Sequence, residues 1–309
     1  MIIVDAHCDT LTLAVTTGQG LLNNRLHWDI NRAMQYDGFV QVLAVFQNPD
    51  RMKPTFKRAV HYIRQAHSFE INIPYFSLCR SFADIKKGLE EKKVCGLLAI
   101  EGGDALEGKT ENLQLLYNMG IRCITLTWNY ANELGDGAQE TRHRGLTPFG
   151  RGILRIMQEK GMIIDISHAS EKTFWDCMEE CSKPLIASHS NARAIHDHPR
   201  NLYDSQLLAV AEKGGVIGIN FYREFISSAG SVNISCLVRH IEYICGLAGD
   251  NAVGIGADFD GMESLPDSVF GVQSLGLLLN ELKRLNYSDC TIQKIYGGNF
   301  LRVFNDVLK

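Results

Sequence analysis

Residues 162–190 read MIIDISHASEKTFWDCMEECSKPLIASHS, and this stretch carries one whole unit of the fold. MIIDISH (162–168) is a short, nearly continuous apolar run of the kind that suits a strand buried on both faces. Ser170 is placed to cap a helix over EKTFWDCMEEC, and PLIASHS (184–190) begins a second strand. Two strands joined through one helix make a parallel β-α-β unit. Both runs carry a histidine at or next to their ends.

Outward from this unit the same pattern repeats. IIVDAH (2–7), FVQVLAVF (39–46), VCGLLAIE (94–101) and RCITLTWN (122–129) precede it, while GVIGINF (215–221) and AVGIGADF (252–259) follow. Helical stretches lie between them. Thr147-Pro148 reads as a cap with proline in the first turn of a helix ending before Gly161. Gly120 and Gly214 stand where a left-handed residue closes a helix, and segments 55–68, 232–247 and 299–308 carry apolar residues at helical spacing. Eight strands alternating with helices predict an α/β protein, a closed (β/α)8 TIM barrel, as one domain over residues 1–309. An open doubly wound sheet is the competing architecture, but no GxGxxG follows the first strand and no Walker motif occurs.

Composition narrows the function. The chain is 45% hydrophobic and 21% charged with a net charge of −4, so it has no broad basic field for nucleic acid or anionic lipid. The opening MIIVDAHCDT lacks the basic region and apolar core of a signal peptide, and no run reaches the ~18 apolar residues of a spanning helix. Nine cysteines without a CxxC pair predict reduced, mostly buried thiols in a cytoplasmic protein.

Barrel enzymes place their chemistry at the C-terminal ends of the strands. There the sequence sets His7 and Asp9, then Glu101, Asn129, His168, His189, Asn220 and Asp258. Taken singly, each has a plain structural reading. A His-x-Asp such as His7-Cys8-Asp9 arises by chance in about one of every two chains with ten histidines. His168 and His189 read equally well as satisfied core residues. Glu101 is harder to dismiss, because a carboxylate ending an apolar strand is costly to bury unless paired or metal-bound. Asp258 invites the same argument. Shared placement decides it: imidazoles and carboxylates gather on one rim, the ligand types that hold zinc. His196 and His198 fall in a loop by Pro199 that can line a substrate pocket, and His143 sits in the long segment after the fourth run. His27, His61, His67 and His240 read as surface or packing residues away from the rim.

These motifs resemble the membrane dipeptidase (renal dipeptidase) family of zinc peptidases, within the amidohydrolase-like metal-dependent hydrolases. IIVDAHCDT is similar to the family's opening D-x-H-x-D, and LLAIEGG to its bridging-glutamate strand. DISHAS and PLIASHSNARAI are similar to its two metal-histidine strands, and HPRNL, GGVIGINFY and VGIGADFDG follow in the same order, from residue 2 to GGNFLRVF. The resemblance implies two Zn²⁺ per chain: His7 and Asp9 on one, His168 and His189 on the other, Glu101 across both. It further implies that Arg200 grips the carboxylate of a small dipeptide substrate and that Tyr222 lies near it. Asp258 would handle protons while a metal-bridging hydroxide attacks. L-Xaa-D-Xaa substrates and a homodimer are also within what it implies, although no interface signature is visible.

One position departs from the family. Where its members often carry a histidine that stabilises the tetrahedral intermediate, this chain has Trp128, beside Asn129. Losing one such donor costs on the order of a hundredfold in turnover. Asn129, a nearby histidine, or the metals alone would then carry that role. Two alternatives follow: an amidohydrolase acting on lactams or other small amides, and a catalytically idle barrel that binds ligands.

Overall fold

In the computed structural model, which describes residues 1–309, nine strands run in parallel. They are β1 (Ile2–Cys8), β2 (Gly38–Phe46), β3 (Phe76–Leu78), β4 (Val94–Glu101), β5 (Ile121–Thr125), β6 (Ile163–Asp165), β7 (Ile186–Ala187), β8 (Val216–Ile219) and β9 (Val253–Ile255). Helices α1 (Thr10–Thr16), α2 (Ile30–Ala33), α3 (Phe56–Asn72), α4 (Phe82–Glu90), α5 (Thr110–Asn118) and α6 (Pro148–Lys160) lie in the first half. The second half holds α7 (Glu171–Glu180), α8 (Asp204–Glu212), α9 (Arg223–Ile226), α10 (Ile234–Ala248), α11 (Leu275–Arg284), α12 (Asp289–Gln293) and α13 (Asn299–Val307).

Eight strands close a barrel in the order β1-β2-β4-β5-β6-β7-β8-β9, and β9 returns to β1 through Asp5 and Ile255. The ninth, β3, lies outside this ring. It pairs with the first residues of β4 (Phe76 with Val94, Leu78 with Gly96), and β5 takes over that edge from Leu98 onward. The sequence pattern does not show β3, because three residues (FSL) are too few to display a period. The predicted punctuation is present. Ser170 caps α7 through the Thr173 N–H and Thr147 caps α6 through the Gly150 N–H, while Gly161 closes α6 at φ 68°.

Five strands, β5 to β9, end before their apolar runs do, and the three around Asp165 show why. β6 stops at Asp165, β7 at Ala187 and β5 at Thr125. The cause is local. The Ser167 and Ser188 N–H groups donate to Asp165 Oδ1 at 3.0 and 2.9 Å, and the His189 N–H donates to Ser167 Oγ at 3.0 Å. Side chains thus replace strand partners and free the chain to turn out toward the rim. At the other end, α13 packs against β1, β8 and β9 and buries Phe300, Val303, Phe304 and Val307. No helix is long and apolar enough to cross a membrane, and all nine cysteines are free thiols.

Candidate metal centre

Closing the ring brings the rim residues together. His7 lies at the end of β1, Asp9 just beyond it, and Glu101 is the last residue of β4. His168, His189 and Asp258 follow β6, β7 and β9 by two or three residues. His168 and Asp258 hold left-handed backbone, with φ 65° and 60°, which costs a non-glycine residue about 1–3 kcal/mol.

Glu101 stands between two groups. Its Oε2 is 3.3 Å from His7 Nε2, while Oε1 is 3.0 Å from His168 Nε2 and 3.7 Å from His189 Nε2. His7 Nε2 is also 3.6 Å from Asp9 Oδ2 and 4.0 Å from Asp258 Oδ1. Three sets of ligand atoms can be drawn from these six residues, the atoms of each set lying within 4.8 Å of one another.

Outer partners orient the rings. His168 Nδ1 lies 2.8 Å from Asn129 Oδ1, so it must donate. Ser188 Oγ gives its proton to Asp165 Oδ2 at 2.6 Å and therefore receives the N–H of His189 Nδ1 at 2.7 Å. Both imidazoles then turn Nε2 lone pairs inward, 2.9 Å apart. Two acceptors so close call for a positive charge between them, a proton or a metal ion. His7 Nε2 and Asp9 Oδ1 are likewise buried without a hydrogen-bond partner. A Cβ at Gly261 would meet Asp9 Oδ2 at 2.2 Å and Asp258 Oδ1 at 2.3 Å, so only glycine lets these carboxylates approach. A cluster of N and O donors with orphaned lone pairs fits zinc.

Electrostatics agree. Burial, then the charge of Glu101, pushes Asp9 up to about 7. Burial also raises Asp258 to about 6, against the pull of His7. Burial opposes charge on His7, but Glu101 and Asp9 outweigh it and hold the ring well above its ordinary value. His168, by contrast, falls to about 4 through burial and the Arg200 cation. Crowded carboxylates that take up protons are what a bound cation relieves.

Around the cluster opens a cavity of about 410 Å³, lined in part by Asp9, Glu101, Trp128, Asn129, Arg200, Tyr222 and Asp258. Asn220 Nδ2 donates to Asp258 Oδ2 at 3.0 Å and aims that carboxylate. Arg200 is buried; its Nη2 donates to the His189 carbonyl at 3.3 Å and its Nε has no partner. Burial brings Arg200 down to about 10, with Asp258 and Glu101 opposing. The Tyr222 hydroxyl donates to Glu263 at 2.8 Å. Trp128 lies with its ring 5.5 Å from Phe46 and 6.2 Å from His168.

Other residues were not visible as site residues in the sequence. Asp5 and Asp165 brace the strand ends, and the signal was present: a carboxylate inside an apolar run, two or three residues before each histidine. His198 does line the cavity, where it accepts the Arg200 N–H at Nδ1 (3.1 Å) and stays neutral, lowered to about 4 by burial and by Arg200. His143 lines a separate small cavity beside Arg200. His240 is a satisfied core residue that accepts from the Ala192 N–H at 3.2 Å. His27 packs nearer the rim than its place in the sequence suggests, its Nδ1 taking the Asp260 N–H at 3.1 Å.

Comparison with known proteins places the chain in a family. All of residues 1–309 match the membrane dipeptidase family, peptidase family M19. An uncharacterized Klebsiella pneumoniae protein from the pqqA 5′ region is 37% identical over 240 residues, 74% of this chain and 88% of its own length. A Schizosaccharomyces pombe protein described as an uncharacterized dipeptidase is 32% identical over 286 residues, 91% of this chain and 66% of its own. Among solved structures, a dipeptidase of family M19 superposes with a TM-score of 0.91 at 23% identity, covering 100% of this chain and 99% of its own. A Rhodobacter sphaeroides metallopeptidase bound to a phosphinate mimic of L-Ala-D-Ala also reaches 0.91, at 22% identity and 99% coverage of both chains. At that identity the two structures establish the barrel fold. The whole-chain family match goes further: this chain belongs to the membrane dipeptidase family, M19, and is a metallodipeptidase.

Proposed function

We propose that the protein hydrolyses dipeptides, L-Xaa-D-Xaa among them, at a centre of two zinc ions. His7 and Asp9 would hold one, His168 and His189 the other, with Glu101 shared. The observation that carries this reading is the division of Glu101, one oxygen toward His7 and the other toward His168 and His189. Zinc in such a site polarises a scissile carbonyl and lowers the pKa of water to about 7.

The remaining chemistry belongs to the chain. Asp258, aimed by Asn220, takes the proton of the attacking water and returns it to the leaving amine. Arg200 offers a desolvated guanidinium to the substrate's C-terminal carboxylate. Tyr222 stands across the same cavity and borders the substrate. The Asn129 carboxamide oxygen is committed to His168, so its first task is to hold that ring. Trp128 supplies a wall to the cavity rather than the imidazole often found there in the family. The phosphinate ligand of the Rhodobacter sphaeroides relative supports a D-residue at the second position. Nine free thiols support a reducing compartment, the cytoplasm.

The test is a panel of L,L and L,D dipeptides, assayed before chelation, after it, and after return of zinc with metal analysis. Activity lost on chelation and regained near two zinc per chain supports the reading. Two bound metals with no dipeptide turnover refute it and direct the search to lactams and other small amides.

A further inference from the structure

The central cavity does not end at the metal cluster. On the side of Asp9 it continues, through Phe46, Asn48 and Gly261, into a chamber of about 320 Å³ between α1, α3 and the loops after β2 and β9. That volume lies at the lower end of the roughly 300–1,000 Å³ of small-molecule sites. Its apolar wall is Leu13, Phe46, Met52 and Met262, Tyr62 closes it with a hydroxyl 3.4 Å from Thr16 Oγ1, and polar side chains, Gln47, Asn48 and Arg51 among them, complete the lining.

Position tells which part of a substrate reaches it. In the ring β1-β2-β4-β5-β6-β7-β8-β9, β2 and β7 stand four strands apart in either direction, so they face each other across the barrel. Arg200 follows β7 and holds the C-terminal carboxylate in the reading above. With that end anchored under β7 and the scissile bond at the metals, the N-terminal residue points toward β2. We propose that the chamber is the subsite for the side chain of the substrate's N-terminal residue, and that it selects large apolar or aromatic side chains over alanine and lysine. This proposal rests on the dipeptidase reading.

Composition supports the selection. Unbranched, polarisable methionines adapt to side chains of different shape, and aromatic walls reward flat ones. Of the chamber's charged groups, Asp260 accepts from Thr10 and from the His27 N–H and Glu263 accepts from Tyr222, while Arg51 is unpaired and sets a positive charge against a lysine side chain. A hydrophobic pocket of this kind separates substrates by about 10–200-fold per missing methylene at best.

The experiment measures kcat/KM of the zinc-reconstituted protein on L-Ala-, L-Leu-, L-Met-, L-Phe- and L-Lys- dipeptides sharing one C-terminal residue. L-Phe or L-Met is expected to exceed L-Ala by at least about tenfold. Thr16→Phe fills the chamber and should cut the L-Phe to L-Ala ratio about tenfold. Met52→Asp, on the exposed edge of the same wall, should lower that ratio without touching the core. A native enzyme that ranks L-Ala or L-Lys first overturns the subsite while leaving the dipeptidase reading intact. Variants in which both substrates fall by the same factor do the same. No hydrolysis of any dipeptide overturns the underlying reading, and the subsite with it.

Discussion

Asp258 and Asn129 act on the same cluster in different ways, and the difference is measurable. Asp258 lies at the edge of the centre, 4.0 Å from His7 and within 4.8 Å of His189, and is held by Asn220, which aims its carboxylate for proton transfer. Asp258→Asn should keep metal content near that of the native protein and reduce kcat by about a hundredfold or more; normal turnover with full metal would remove the proton role. Asn129 makes its bond to the far nitrogen of His168. Asn129→Ala should therefore weaken zinc affinity about 10–100-fold, as loss of an outer partner does elsewhere. Competition with a chromogenic chelator reads this directly, and unchanged affinity would show that His168 needs no such support.

At the scale of elements, Asp165 does more than end a strand. Its two oxygens accept from the Ser167 and Ser188 N–H groups and from the Thr125 and Ser188 hydroxyls, binding β5, β6 and β7 where their ladders stop. Removing it strands four buried donors, each costing about 1–3 kcal/mol. Asp165→Ala should lose at least about 3 kcal/mol in urea unfolding of the metal-free protein. A shift under 1 kcal/mol, measured the same way, would mean that water satisfies these donors instead.

The whole molecule also depends on a buried carboxylate, Asp136, in the long segment after β5, whose carbonyl accepts the Ser170 N–H just beyond His168. Burial pushes Asp136 up, but Arg142 and the Arg144 N–H at 2.6 Å outweigh it and hold its carboxyl below the ordinary 3.8. A carboxyl lowered in the folded state stabilises fully above its unfolded pKa, and the contribution disappears as pH falls through the folded value. Native protein and Asp136→Asn should thus differ in unfolding free energy by a constant amount above about pH 5, with the gap closing below about pH 4. Comparing the two isolates Asp136 from Asp5 and Asp9, whose raised values act with the opposite sign. A gap that persists at low pH would assign the stabilisation to packing.

Much of this protein was decided along the chain. Near-continuous apolar runs separated by capped helices specify a parallel barrel, because only strands buried on both faces tolerate such runs. Residues at the ends of those runs then fall on one rim, which is why His7, Asp9, Glu101, His168, His189 and Asp258 were legible from position alone. Tertiary structure decided the rest. Whether MIIDISH stays a strand to its last residue depends on Ser188, contributed by a different strand, and β3 exists only because β4 offers it an edge. The neutral state of His198 depends on its burial and on Arg200, and the chamber beside Asp9 on four segments that meet only when the ring closes. Local periodicity carries information about burial; it carries none about which loops become neighbours, and those neighbours shape the cavity in which a substrate must fit.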